Sequence, residues 1–150
     1  MAESALVSDP SRPQSAFGRT VPAVAENVAS LRHAVVELAE AAGAAEAVRT
    51  DLALAVGEAC ANVVVHAYPP GDIGPLIVQA SIVDDREIVI SVVDQGQGMT
   101  PRPDSPGLGL GLPLIANLSD RLEIQDGPDG VGTQVEMVFC LRRTAHTTKR

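Results

Sequence analysis

Three polar side chains interrupt the apolar stretch LALAVGEACANVVVHAYPP at residues 52–70: Glu58, Asn62 and His66. In a helix, a step of four residues advances about 40° beyond a full turn, so the three climb one face. Leu54, Cys60, Ala61, Val64 and Val65 occupy the other faces. A carboxylate there can take a proton from a hydroxyl or water. An amide one turn on offers a neutral oxygen to Mg2+, which keeps several waters and takes its other ligands from substrate phosphates. The same line also reads as an ordinary solvent-facing stripe, with His66 placed for the helix dipole.

Three further motifs could bind a flat or anionic ligand. DQGQG (94–98) follows a β-branched run, so Asp94 can accept from an amino group while Gly96 and Gly98 admit a planar ligand closely. Its plain alternative is a Gly-rich turn. GLGLGLP (107–113) opens a helical segment, and glycines at a helix start expose N–H groups to an anion. As a dinucleotide fingerprint it fails, because no strand immediately precedes it and the third glycine is misplaced. GTQV (132–135) begins a strand, where Thr133 either meets a ligand or simply favours extended backbone.

Composition removes several other chemistries. The net charge of −8 argues against nucleic acid, since phosphate backbones reward a basic surface. The only lysine is Lys149, so neither a P-loop nor a protein-kinase strand lysine is available, and Schiff-base chemistry is disfavoured. There is no Cys-x-x-Cys, His-Glu-x-x-His or Gly-x-Ser-x-Gly, and His33, His66 and His146 lack ligand-like spacing. Cys60 and Cys140 lie in apolar stretches and read as buried, reduced thiols. Without a signal peptide or an apolar run long enough to span a bilayer, the expectation is a cytoplasmic chain with no membrane contact.

The elements that must position these residues follow from periodicity. SAFGRTVP (15–22) reads as an edge strand. NVASLRHAVVELAEAAG (27–43) has helical spacing and stops at Gly43. RTDLALAVGEACANVVVHAY (49–68) is a second helix, capped by Thr50 or Asp51 and ended by Pro69-Pro70-Gly71. PLIVQASIV (75–83) and REIVISVVD (86–94) form a hairpin about Asp84-Asp85. A Gly/Pro loop (95–107) precedes a helix at 109–120, with Pro113 in an early turn. RLEIQD (121–126) and GTQVEMVFCL (132–141) pair across Gly-Pro-Asp-Gly. The order β-α-α-β-β-α-β-β predicts a two-layer α/β sandwich. Its sheet is mainly antiparallel and mixed, and three helices cover one face. A flexible segment (1–14) and tail (142–150) flank one domain (15–141).

Taken together and in order, the motifs resemble the GHKL ATP-binding superfamily, the Bergerat or histidine-kinase-like ATPase fold. The resemblance covers about residues 15–141, with EACANVVVHAY as the N box and DQGQGM and GLGLGLPLI as glycine boxes. Within it, EACANVVVHAYP and GLGLPLIANLSDRLEI…GTQVEM look like the bacterial anti-sigma-factor serine/threonine kinases. The resemblance implies ATP and Mg2+ as cofactors. It implies a sigma factor and a STAS-like anti-sigma-factor antagonist as partners, and it suggests a homodimer.

Carried over, Asp94 accepts from the adenine amino group, with Gly96 and Gly98 at the base and Thr133 acting through water. Asn62 matches the Mg2+ ligand, Glu58 the base for the attacking serine, and Gly107, Gly109 and Gly111 the phosphate contacts. One departure is marked: relatives can carry an arginine before the second glycine box, where this chain reads Ser105-Pro106-Gly107-Leu108. Arg102 is the nearest substitute. Two functions follow from the same residues. One is a kinase that phosphorylates the antagonist; the other is a nucleotide-sensing interaction module with weak or no transfer.

Overall fold

The structure, a computed structural model, describes residues 15–97 and 108–142. The expectations for 1–14, for the tail beyond Arg142, and for Gly98, Arg102 and Gly107 lie outside the described residues. The element order is β1 (Ser15–Pro22), α1 (Ala25–Ala41), α2 (Glu46–Asn62), β2 (Pro75–Val83), β3 (Glu87–Asp94), α3 (Leu108–Leu118), β4 (Arg121–Asp126) and β5 (Thr133–Cys140). A π-helical turn (Val63–Ala67) continues α2, and a short 3₁₀ turn (Pro128–Gly130) joins β4 to β5.

The sheet runs β1-β2-β3-β5-β4, and every pairing among the described strands is antiparallel. Alternation sets its two faces. Leu76, Val78, Ala80 and Ile82 of β2 point inward, as do Ile88, Ile90 and Val92 of β3. The register pairs Val78 with Val92, and Val92 with Val135, so these inward rows merge into one apolar layer. Leu31, Leu52 and Ile115, one from each helix and all fully buried, close that layer. The helices therefore sit on one face, α1 by β1 and β2, α2 by β3 and β5, and α3 beside α2 and β4.

Turn chemistry explains the joints. Asp84 and Asp85 both have positive φ, 53° and 56°, and Arg86 N–H donates to Val83 C=O at 3.0 Å. That is the primed turn whose twist suits a tight hairpin. Helix α1 ends at Ala41, and Gly43 takes the left-handed conformation just beyond it.

Three expectations are corrected. Helix α2 begins at Glu46, so neither Thr50 nor Asp51 caps it; Thr50 Oγ1 instead donates to Glu46 C=O at 3.1 Å inside the first turn. Its N-cap is Ala45, extended and without a side-chain bond, whose N–H donates to Leu141 C=O at 2.9 Å. Burial of Val48 brings the helix start forward past the better capping residues. Cys60 is buried as expected, but Cys140 is exposed, because β5 alternation turns it to the uncovered sheet face opposite Phe139. Finally, the end of the second helix, Val63–Ala67, is π rather than α.

Among the described residues, no helix is long and apolar enough to cross a membrane.

Candidate functional site

The site is built at the sheet end where β3 stops and β5 starts. Asp94 is the last residue of β3 and continues the inward row of Ile88, Ile90 and Val92, so its carboxylate enters the layer between sheet and helices. It is 7% exposed. Its Oδ1 accepts from Gly96 N–H at 2.9 Å. Burial pushes the carboxyl above the usual carboxylate range, while the backbone amides of Gly96 and Thr133 pull it part of the way back. Among the described residues no cation pairs with it. Two amides do not exhaust a carboxylate's acceptor capacity, so Asp94 can still receive a donor from a ligand.

Thr133 opens β5 and is buried one ladder step from the Val93↔Gln134 pair, on the same inward side as Asp94. Sequence and structure agree in bringing Asp94, Gly96 and Thr133 together.

Asn62 is the last α-helical residue of α2. Its Nδ2 is buried without a hydrogen-bond partner among the described residues. Across from it lies α3. A Cβ on Gly111 would stand 2.8 Å from Asn62 Nδ2, so only glycine lets the amide and the helix approach this closely. Gly109 lies in the first turn of α3, where N–H groups lack intrahelical acceptors and the dipole is positive. Pro113 has no N–H, which leaves the Gly109 carbonyl without its i+4 donor. Thus the amide and the second glycine motif lie against each other where α3 packs on α2.

Glu58 lies one turn before Asn62 and is half-buried. It lines a groove of about 700 Å³ between α1 and α2, together with Arg32, Leu54, Gly57 and Ala61. His66 falls in the π turn, where bonds close over five residues rather than four, and it is half-buried.

Sequence reasoning assigned no role to Tyr68. Its hydroxyl accepts from Gln95 N–H at 2.9 Å and donates to Pro75 C=O. The one available signal was its position, a lone tyrosine directly after the helix in a chain with 2% aromatic residues.

A five-stranded antiparallel sheet covered on one face by three helices is the architecture of the histidine-kinase-like ATPase class. The chain belongs to that family: residues 21–139 match the histidine kinase-like ATPase domain. It is 32% identical over 138 residues to the anti-sigma F factor of Caldanaerobacter subterraneus subsp. tengcongensis, covering 85% of each chain. It is 36% identical over 122 residues to the serine-protein kinase RsbW of Halalkalibacterium halodurans, covering 71% of this chain and 74% of that one. Its fold is similar to the crystal structure of the RsbU and RsbW domains of Rv1364c from Mycobacterium tuberculosis, with TM-score 0.69 and 25% identity. That match covers 89% of this chain and 34% of the longer polypeptide.

Proposed function

We propose that the chain binds ATP at this sheet end and is an anti-sigma-factor-type serine/threonine protein kinase. In this reading it holds a sigma factor and transfers the γ-phosphoryl group to a serine of a STAS-like antagonist. The observation that carries the reading is Asp94. A buried carboxylate, bonded by two backbone amides and paired with no cation among the described residues, suits the adenine amino group. Gly96 and Gly98 would flank the base and Thr133 would support it through water.

The Asn62 environment suits a nucleotide-borne Mg2+. Its Nδ2 is buried with no hydrogen-bond partner among the described residues, and amide O and N can be exchanged by rotation. Among the described residues no group of three or more His, Cys, Asp and Glu could hold a metal by itself. Asn62 would therefore add one neutral oxygen to an ion carried in on the phosphates. When bound, the ion would supply neutralising charge at the phosphates.

Gly107, Gly109 and Gly111 would turn N–H groups to those phosphates, with the α3 dipole behind them. Glu58 would accept the serine proton as its oxygen attacks, a role that asks mainly for correct placement. The names of the relatives support the kinase and anti-sigma parts of this reading.

The test is calorimetric titration with ATP, with and without Mg2+, followed by transfer from γ-labelled ATP to a purified antagonist. Glu58→Ala should abolish transfer and leave ATP binding in place. If the variant loses binding as well, Glu58 is not the base. If the wild type binds no ATP at micromolar protein, the nucleotide reading fails. The Ser105-Pro106-Gly107-Leu108 stretch, without an arginine, favours a second reading in which the chain senses nucleotide and holds its partner without efficient transfer. ATP binding without measurable transfer would select that one.

A further inference from the structure

Tyr68 takes no part in the proposed chemistry, yet its hydroxyl occupies a specific place in the sheet. The β2–β3 register pairs Leu76 with Asp94, so Pro75 and Gln95 are the next opposed residues. At that step the ladder does not continue directly. The Tyr68 hydroxyl sits between the two, accepting from Gln95 N–H and donating to Pro75 C=O. A ladder rung has been replaced by a longer, bridged one.

The bridge has a directional effect. Past Asp94 the chain leaves β2 and crosses to the helical layer, where Gln97 N–H donates to Ala67 C=O at 3.1 Å. Gly96 lies so close to that same carbonyl that an added Cβ would overlap it. Gly96 N–H in turn holds Asp94 Oδ1. Ala67, the last residue of the π turn, and Tyr68, just beyond it, therefore contact all three residues that follow Asp94.

We propose that Tyr68 is a positioning residue for adenine recognition: its hydroxyl splits the β2–β3 ladder, seats residues 95–97 on the end of the π turn, and so aims the Asp94 carboxylate. The proposal rests on the reading of Asp94 as the adenine acceptor. Phenylalanine keeps the ring and removes both bonds. Gly74→Ala is an independent perturbation, because its Cβ would run into the Tyr68 ring and displace the hydroxyl without deleting it.

The experiment measures amide hydrogen exchange on the free proteins, then calorimetric affinity for ATP and for purine riboside triphosphate, which lacks the 6-amino group. In both variants the Gln95 and Gly96 amides should exchange faster. ATP should bind about tenfold more weakly, the net worth of one well-placed hydrogen bond. Purine riboside triphosphate should be unaffected, so discrimination between the two shrinks. Unchanged exchange at Gly96 would show that Tyr68 does not hold the loop and would overturn the proposal. Faster exchange with equal loss for both nucleotides, or loss for neither, would leave Tyr68 a purely structural bridge and overturn it too. A wild type that binds neither nucleotide would remove the ATP reading itself, and the inference with it.

Discussion

Gly111→Ala separates the stability of α3 from the geometry of Asn62, because the two effects have opposite signs. Alanine in a helix interior is favoured over glycine by about 1 kcal/mol, so on propensity alone the substitution stabilises. The new Cβ, however, would meet Asn62 Nδ2 at 2.8 Å, Oδ1 at 3.2 Å and Cγ at 3.4 Å, and nothing else ranks closer. Reaching ordinary contact at 3.4 Å requires the amide to retreat by about 0.6 Å. Asn62 can do so by leaving its rotamer, at a cost of about 0.5–1.5 kcal/mol, which roughly cancels the gain. Thermal unfolding should therefore shift by no more than ~4 °C in either direction. Function should not be so forgiving, since a displacement approaching 1 Å at a reacting centre can cost ~100-fold. Calorimetry should show ATP binding without Mg2+ little changed and the Mg2+-dependent increment lost. Transfer should fall roughly 10–100-fold on the same ground. A variant with Tm raised by ~4 °C and Mg2+-ATP affinity intact would refute the assignment of Asn62, since it would show that the amide can move without consequence.

Asp94→Asn tests the cost of the buried carboxylate. Burial raises the Asp94 carboxyl, so folding favours its protonated form. That contribution is complete below the ordinary carboxylate range and is lost as pH rises through the raised value. Urea unfolding should thus find Asp94→Asn no less stable than wild type at pH 7, with wild type gaining on it as pH falls. ATP affinity should drop about 10–100-fold, the worth of a hydrogen bond to a charged group. A large loss of stability at pH 7 would mean that the Gly96 and Thr133 amides outweigh burial. The thiols give a simpler test. Burial pushes the Cys60 thiol up to about 12, whereas Cys140 is exposed. Iodoacetamide at pH 8 should label native protein at Cys140 alone and label both in denaturant, as mass spectrometry would show; native labelling of Cys60 would contradict its burial.

The strands were legible because their signal is local. The stretch SAFGRTVP before its Pro and the β-branched run PLIVQASIV mark β1 and β2 at the bounds found, and Asp84-Asp85 carries its turn geometry in two residues. The apolar–polar alternation of GTQVEMVFCL, followed to Cys140, would have turned that thiol outward. Helix α2 was placed late because capping preference is a small effect, and burial of Val48 and Leu52 against the sheet exceeds it. The π turn left no mark, since VVVHA suits α and π winding alike. The motifs located Asn62 and Gly111 separately. Their contact depends on how α3 packs beside α2, and no spacing in the sequence encodes that. Tyr68 was missed for a related reason: its partners, Pro75 and Gln95, are backbone groups whose side chains are irrelevant to the bond.

The aim of Asp94 is decided by residues that do no chemistry. Slipping β3 by one residue would exchange its faces, because side chains alternate with period two. Asp94 would then point to the uncovered face of the sheet. The same slip would drive Ser91 into the layer now filled by Ile90 and Val92 and bring Ile88 and Ile90 out to water. Two isoleucines, now fully buried, would lose about 1.5–3 kcal/mol each on exposure, before any cost of burying the serine hydroxyl. Against it stands the burial of one carboxylate, which two backbone amides partly offset. The apolar row therefore holds an acid in a place the acid would not choose, and the acid's unfilled acceptor capacity is what a ligand amino group can use. A substitution such as Ile90→Ser should accordingly weaken ATP binding as well as stability, although Ile90 lies four residues from Asp94 and belongs to the core rather than the site.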